Sequence, residues 1–93
     1  MTTVTLLTAP ACHLCDQAQK ILVRVIEDYE LTVETVPITT EQGRRLVAEH
    51  RVAFPPGVLI DGRTFSFGRL SERRLRRELE RRKVPTPGGA ESR

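Results

Sequence analysis

The chain has 93 residues, enough for one domain, since single domains usually run to about 100–200 residues. With no Trp, one Tyr and three Phe its core must be aliphatic, and a chain this short buries only about 60–65% of its unfolded surface. Fifteen basic residues against 12 acidic give +3, and no apolar run approaches the roughly 18 residues of a membrane span. No membrane partner is therefore expected. Met1-Thr2-Thr3-Val4 has no basic stretch ahead of an apolar one, which argues against a signal peptide and for a reducing, cytoplasmic location.

Val4-Thr5-Leu6-Leu7-Thr8 is β-branched and apolar, ends at Ala9-Pro10-Ala11, and predicts a buried strand. Leu14, Ala18, Ile21, Leu22, Val25, Ile26 and Tyr29 then recur with helical period, predicting an amphipathic helix of about four or five turns. Leu31 to Val36 alternates as a second strand closed by Pro37. Thr39 with Gln42 three residues later offers a capping box for a helix to about His50, with Leu46 and Val47 facing inward. Phe54-Pro55-Pro56 breaks the chain. Val58-Leu59-Ile60, the Asp61-Gly62 turn and Thr64 to Phe67 make a β-hairpin, because Asp-Gly supplies the positive-φ residues of a tight turn. Ser71 caps a last helix from Glu72 to about Lys83, whose apolar stripe is Leu75 and Leu79. Residues 1–84 read as one domain and residues 85–93 as a mobile tail. The order β-α-β-α-β-β-α predicts an α/β fold, a mixed four-stranded sheet flanked by helices, with parallel first strands and an antiparallel edge.

The last helix concentrates charge. Ser71 to Lys83 holds seven cations and three anions. Such an excess can bind phosphate backbones, but a charge run is more often a solvated helix face. Glu72 with Arg76 and Glu78 with Arg82 stand at i, i+4, the spacing of surface ion pairs. No nucleic-acid partner is expected.

The two cysteines fall in Cys12-His13-Leu14-Cys15 at the start of the first helix. Two cannot staple a secreted miniprotein, and in a reducing compartment this spacing points to redox chemistry or a metal. A structural zinc wants four ligands, and a second Cys-x-x-Cys pair is absent. Residues at i and i+3 share a helix face, so the two sulfurs can bond with little backbone movement. Cys12, at the helix start, sits where unpaired N–H groups favour a thiolate; Cys15 lies one turn in and is more shielded. His13 is read either as a group that tunes the thiolate or as a plain surface histidine. Leu14 is in phase with the core.

The pair after the first strand, followed by Asp16, together with Pro56-Gly57-Val58-Leu59-Ile60-Asp61-Gly62 and Gly68 before the last helix, resembles the glutaredoxin family. The likeness is closest to a small bacterial branch with Cys-His-Leu-Cys sites and covers about residues 3–83. It implies a thioredoxin-like fold of the glutaredoxin type and a dithiol–disulfide oxidoreductase, with Cys12 and Cys15 catalytic and no bound cofactor. The family's cis proline before the third strand falls at Pro56 in an ungapped match, or at Pro55 with a one-residue bulge. Phe54, Pro55, Pro56, Gly68 and Arg69 then occupy the substrate-binding positions.

The chain departs from the family's glutathione users. They carry a basic residue shortly before the first cysteine, where this chain has Ala9-Pro10-Ala11, and their Thr-Val before the cis proline becomes Phe54-Pro55. Their glycine pair and following acidic pair become Gly68-Arg69-Leu70-Ser71. The expectation is a monomer that reduces protein or small-thiol disulfides, depends weakly on glutathione, and takes electrons from another thiol or a flavin reductase. Two other classes compete: a metal or iron–sulfur binding module, and an adaptor acting through the basic helix.

Overall fold

The computed structural model describes residues 1–87. Seven elements follow in the predicted order: β1 (Thr2–Thr8), α1 (His13–Val25), β2 (Leu31–Pro37), α2 (Glu41–His50), β3 (Gly57–Ile60), β4 (Arg63–Phe67) and α3 (Glu72–Arg81). They build a four-stranded sheet in the order β2-β1-β3-β4. β1 runs parallel to β2 and antiparallel to β3, and β4 returns antiparallel on β3.

Both faces of β1 are covered, so it reads as a continuous apolar run rather than an alternating one. Val4 and Leu6 join Ala18, Leu22 and Val25 of α1, Val58 and Ile60 of β3, and Leu75 and Leu79 of α3 in the main core. Leu7 faces the other way, with Val36 and Val52, against Leu46 and Val47 of α2. Aliphatic side chains thus fill both layers.

The hairpin turns at Asp61 and Gly62, with φ of 50° and 81°. Ser71 caps α3, its hydroxyl accepting from the Arg74 N–H at 3.2 Å. The predicted i, i+4 pairs form, Glu72 with Arg76 at 3.0 Å and Glu78 with Arg82 at 2.7 Å.

Three local expectations differ. The first helix ends at Val25, short of the apolar stripe, so Ile26 is 40% exposed while Tyr29 folds back and is buried. Tyr29 donates its hydroxyl to Glu80 of α3 at 2.6 Å. The α2 cap is Thr40 rather than Thr39. Its hydroxyl donates to the Pro37 carbonyl at 2.7 Å and accepts from the Gly43 N–H at 2.9 Å. Gly43 is obligatory there, because a Cβ would collide with the Pro37 carbonyl oxygen. Lastly, the chain after α3 stays attached as far as Pro85: Val84 is buried and the Pro85 carbonyl accepts the Glu30 N–H at 2.7 Å. The rest of the expected tail falls largely on residues 88–93, outside the described residues.

No helix among the described residues is long and apolar enough to cross a membrane.

Candidate active site

Strand register brings the sequence-predicted site residues to one end of the sheet. Leu7 pairs with Gly57, and Gly57 with Phe67, so the C-terminal end of β1, the start of β3 and the end of β4 lie side by side. Cys12 follows β1 by four residues, Phe54-Pro55-Pro56 leads into β3, and Gly68-Arg69 follows β4.

Ala11, at φ 51°, turns the chain sharply out of the loop after β1 and delivers Cys12 to the N-cap of α1 in an extended conformation. The Cys12 sulfur does what a serine or aspartate oxygen usually does at this position. It accepts the Cys15 backbone N–H at 3.1 Å, while the Cys12 carbonyl accepts from the Asp16 N–H at 3.1 Å. Cys12 and Cys15 are joined as a disulfide, their Cα atoms 5.2 Å apart. The two sulfurs differ in access: Cys12 is half-buried, and Cys15 is 2% exposed. His13 and Asp16 are exposed in the first turn, and Leu14 is half-buried.

The Pro55–Pro56 peptide bond is cis. Pro56 is buried, and its carbonyl accepts the Gly68 N–H at 2.8 Å, tying the turn before β3 to the turn after β4. Gly68 has φ 80° and carries the ring of Phe54 against its Cα. Phe54 meets Phe67 edge to face, with centroids 5.4 Å apart. Arg69 reaches across to α1, donating to the Gln17 side chain at 3.3 Å. Phe67 and Gln17 were not among the residues singled out from sequence; their contacts join segments far apart in the chain.

Other polar and charged residues stand elsewhere. His50 ends α2, where its Nδ1 lies 2.8 Å from the Thr64 hydroxyl. Among the described residues, no three His, Cys, Asp or Glu side chains converge in a way that could hold a metal ion. Of the seven cations from Ser71 to Lys83, Arg76, Arg81 and Arg82 are held in ion pairs. Glu72 pairs with Arg24 and Arg76, Asp28 with Arg76, and Glu78 with Arg81 and Arg82. The two arginines hold the Glu78 carboxyl down at about 2, through hydrogen bonds first and charge second. Arg74 lies over the Phe65 ring, 5.4 Å from its centroid. An apolar groove of about 350 Å³ between α1 and β2, lined by Leu22, Val23, Ile26 and Val33 among others, takes in none of the site residues.

Solved structures that superpose on this fold include thioredoxins. A thioredoxin mutant from Halobacterium salinarum NRC-1 superposes with a TM-score of 0.70 at 17% identity, over 92% of this chain and 78% of that one. A thioredoxin-like protein from Clostridium perfringens gives 0.72 at 16% identity, over 87% and 70%. Oxidised thioredoxin O2 from Arabidopsis thaliana gives 0.68 at 19% identity, over 87% and 74%. These likenesses show the fold, an α/β arrangement of thioredoxin type. No curated protein sequence matches the chain. The sequence profile of the family described as "Glutaredoxin-like domain (DUF836)" matches residues 3–80 and takes in both cysteines, Pro56 and Gly68. With most of its length aligned to that profile, from β1 into α3, the chain belongs to the glutaredoxin-like family.

Proposed function

We propose that the protein is a dithiol–disulfide oxidoreductase that reduces protein or small-molecule disulfides through Cys12 and Cys15. The observation that carries this reading is the unequal pair at the start of α1. Cys12 is within reach of solvent and accepts an N–H, while Cys15 is buried behind it and bonded to it. The fold and the Cys-x-x-Cys spacing point to thiol redox chemistry in general; the direction, substrates and electron donor belong to the proposal.

In the reduced protein, the Cys12 thiolate attacks one sulfur of a substrate disulfide. A Cys12–substrate mixed disulfide forms, and the other substrate sulfur leaves and takes up a proton. Cys15, deprotonated as it attacks, then displaces the substrate from Cys12. The second substrate thiol leaves, and the Cys12–Cys15 disulfide closes. Two electrons pass to the substrate and the protein is left in the oxidised form described above. The N–H groups at the start of α1 stabilise negative charge on Cys12, which favours it as attacker in the first step and as leaving group when the pair is reduced again. An external thiol or a flavin reductase restores the dithiol.

The test is thiol release from a disulfide-bonded peptide mixed with the reduced protein. One disulfide reduced per protein pair oxidised is expected, and none with Cys12→Ser. A wild-type protein that reduces neither this peptide nor a small aliphatic disulfide overturns the reading.

A further inference from the structure

We propose that Phe54 and Phe67 form an aromatic ledge that selects substrates for Cys12, favouring polypeptide disulfides with an apolar side chain next to the attacked cysteine. The inference rests on the oxidoreductase reading and adds a substrate class to it. Both rings stand at the end of the sheet that carries the cysteine pair, Phe54 just before Pro55-Pro56 and Phe67 paired with Gly57. Phe54 is 53% exposed and Phe67 42%. Isolated exposed apolar residues are ordinary on a protein surface, but contiguous apolar surface beside a reactive group marks a contact site.

The ledge is built rather than incidental. The two rings meet edge to face, their planes at 84°. Phe54 also rests on Gly68, where an added Cβ would come within 2.6 Å of its Cε2, so any larger residue at that position would displace the ring. Gly68 is itself fixed by its N–H bond to the Pro56 carbonyl. Among the described residues, the cations that stack on aromatic rings, Arg74 and Arg76, take Phe65 and Tyr29 and not these two. Arg69, the nearest cation in sequence, is turned onto Gln17. The ledge itself is therefore apolar and uncharged, and it matches an apolar neighbour of the substrate cysteine.

The experiment compares two peptide disulfides that differ only in the residue following the cysteine, Leu in one and Gly in the other. Each rate is referred to the same peptide's reduction by dithiothreitol. Wild type is expected to favour the Leu peptide in kcat/KM by about five- to tenfold, the scale of one aliphatic side chain partly buried on an aromatic edge. The preference should lie mainly in KM. Phe54→Ser and Phe67→Thr should each bring the ratio close to one, and each reports independently if the other fails to fold. A wild-type ratio near one, or a ratio unchanged in the folded variants, overturns the ledge and leaves the oxidoreductase reading standing. No turnover of either peptide or of a small aliphatic disulfide overturns both.

Discussion

The backbone N–H of Cys15 points at the sulfur of Cys12 from 3.1 Å, so one member of the pair caps the helix turn that buries the other. The same hydrogen bond that closes the first turn of α1 becomes charge-assisted when Cys12 is a thiolate, and such bonds are shorter and stronger than neutral ones. Cys15 gains no equivalent, because it sits inside the turn and is nearly inaccessible.

The first prediction follows from this asymmetry. In the reduced protein at neutral pH, Cys12 should react with iodoacetamide at least about tenfold faster than Cys15, since thiolate fraction and access both favour it. Mass spectrometry of partly alkylated protein reads the ratio. Cys15→Ser should trap a substrate adduct on Cys12. Faster alkylation of Cys15, or a substrate adduct trapped on Cys15 in Cys12→Ser and none on Cys12 in Cys15→Ser, would reverse the roles.

A second prediction concerns the arginines of α3. Leu75 and Leu79 dock the helix and are fully buried, whereas Arg73 and Arg77 are exposed and form no ion pair among the described residues. Replacing both with Gln should leave reduction of a small disulfide within about twofold and shift thermal stability little, as surface substitutions usually do, within about 0.5 kcal/mol. Leu75→Ala, by contrast, should cost about 2–5 kcal/mol in chemical denaturation. A large loss of activity in the folded double variant would place the basic face within the site.

The third prediction is an acid limb of stability. The Glu78 carboxyl lies near 2 rather than at its ordinary 4.5, held down by Arg81 and Arg82, and Glu72 is lowered in the same direction by Arg24 and Arg76. A carboxyl lowered in the folded state stabilises it above the ordinary value, and that contribution drains away as pH falls through the folded value. Wild type should therefore melt above Glu78→Gln at pH 6 in low salt. The gap should narrow between pH 4.5 and about 2, and it should shrink in 0.5 M salt because the carboxylate and its arginines keep contact with solvent. A gap that persists at pH 2 would assign the effect to packing of the side chain instead of its charge.

The element order was legible because each element carries its own period and its own stop: the apolar run of β1, the stripe from Leu14 onward, the Asp61-Gly62 turn, Ser71 before α3. What escaped was decided by contacts that no single period or stop signal encodes. The capping box of Thr39 with Gln42 points to Thr39, and Thr40 is used instead because its hydroxyl reaches both the Pro37 carbonyl and the Gly43 N–H. Ile26 is in phase with the buried stripe but lies beyond the end of α1. The cysteine pair and both prolines declared themselves, whereas the seat of Phe54 on Gly68 and against Phe67 depends on how the turns around β3 and β4 meet.

The last prediction is weak dependence on glutathione. In the glutaredoxins that use it, the residue before the proline at this site offers substrate a backbone N–H and a C=O. In this chain that residue is Pro55, which has no N–H to offer. One of two anchoring hydrogen bonds is lost, worth about 0.5–1.5 kcal/mol. Two further anchors are occupied or absent. The Gly68 N–H is taken by the Pro56 carbonyl and the glycine is covered by the Phe54 ring, while the loop before Cys12 is Ala9-Pro10-Ala11, without a cation. Arg69 stands where it could meet a carboxylate, but it is engaged with Gln17 through a single long hydrogen bond of 3.3 Å, which a carboxylate would have to replace. These losses together should weaken binding by one to two orders of magnitude relative to a site that keeps all its anchors, since each 1.4 kcal/mol is about tenfold. The rate of reduction of the Cys12–Cys15 disulfide should then rise linearly with glutathione up to about 10 mM, with no saturation, and a second-order constant no larger than that for a small uncharged thiol of similar reactivity. Pro55→Val restores the N–H and should raise the glutathione rate several-fold while leaving the uncharged thiol's rate in place as the internal reference. Saturation at low millimolar glutathione in the wild type, unchanged in Pro55→Val, would show that the tripeptide is held by contacts other than these.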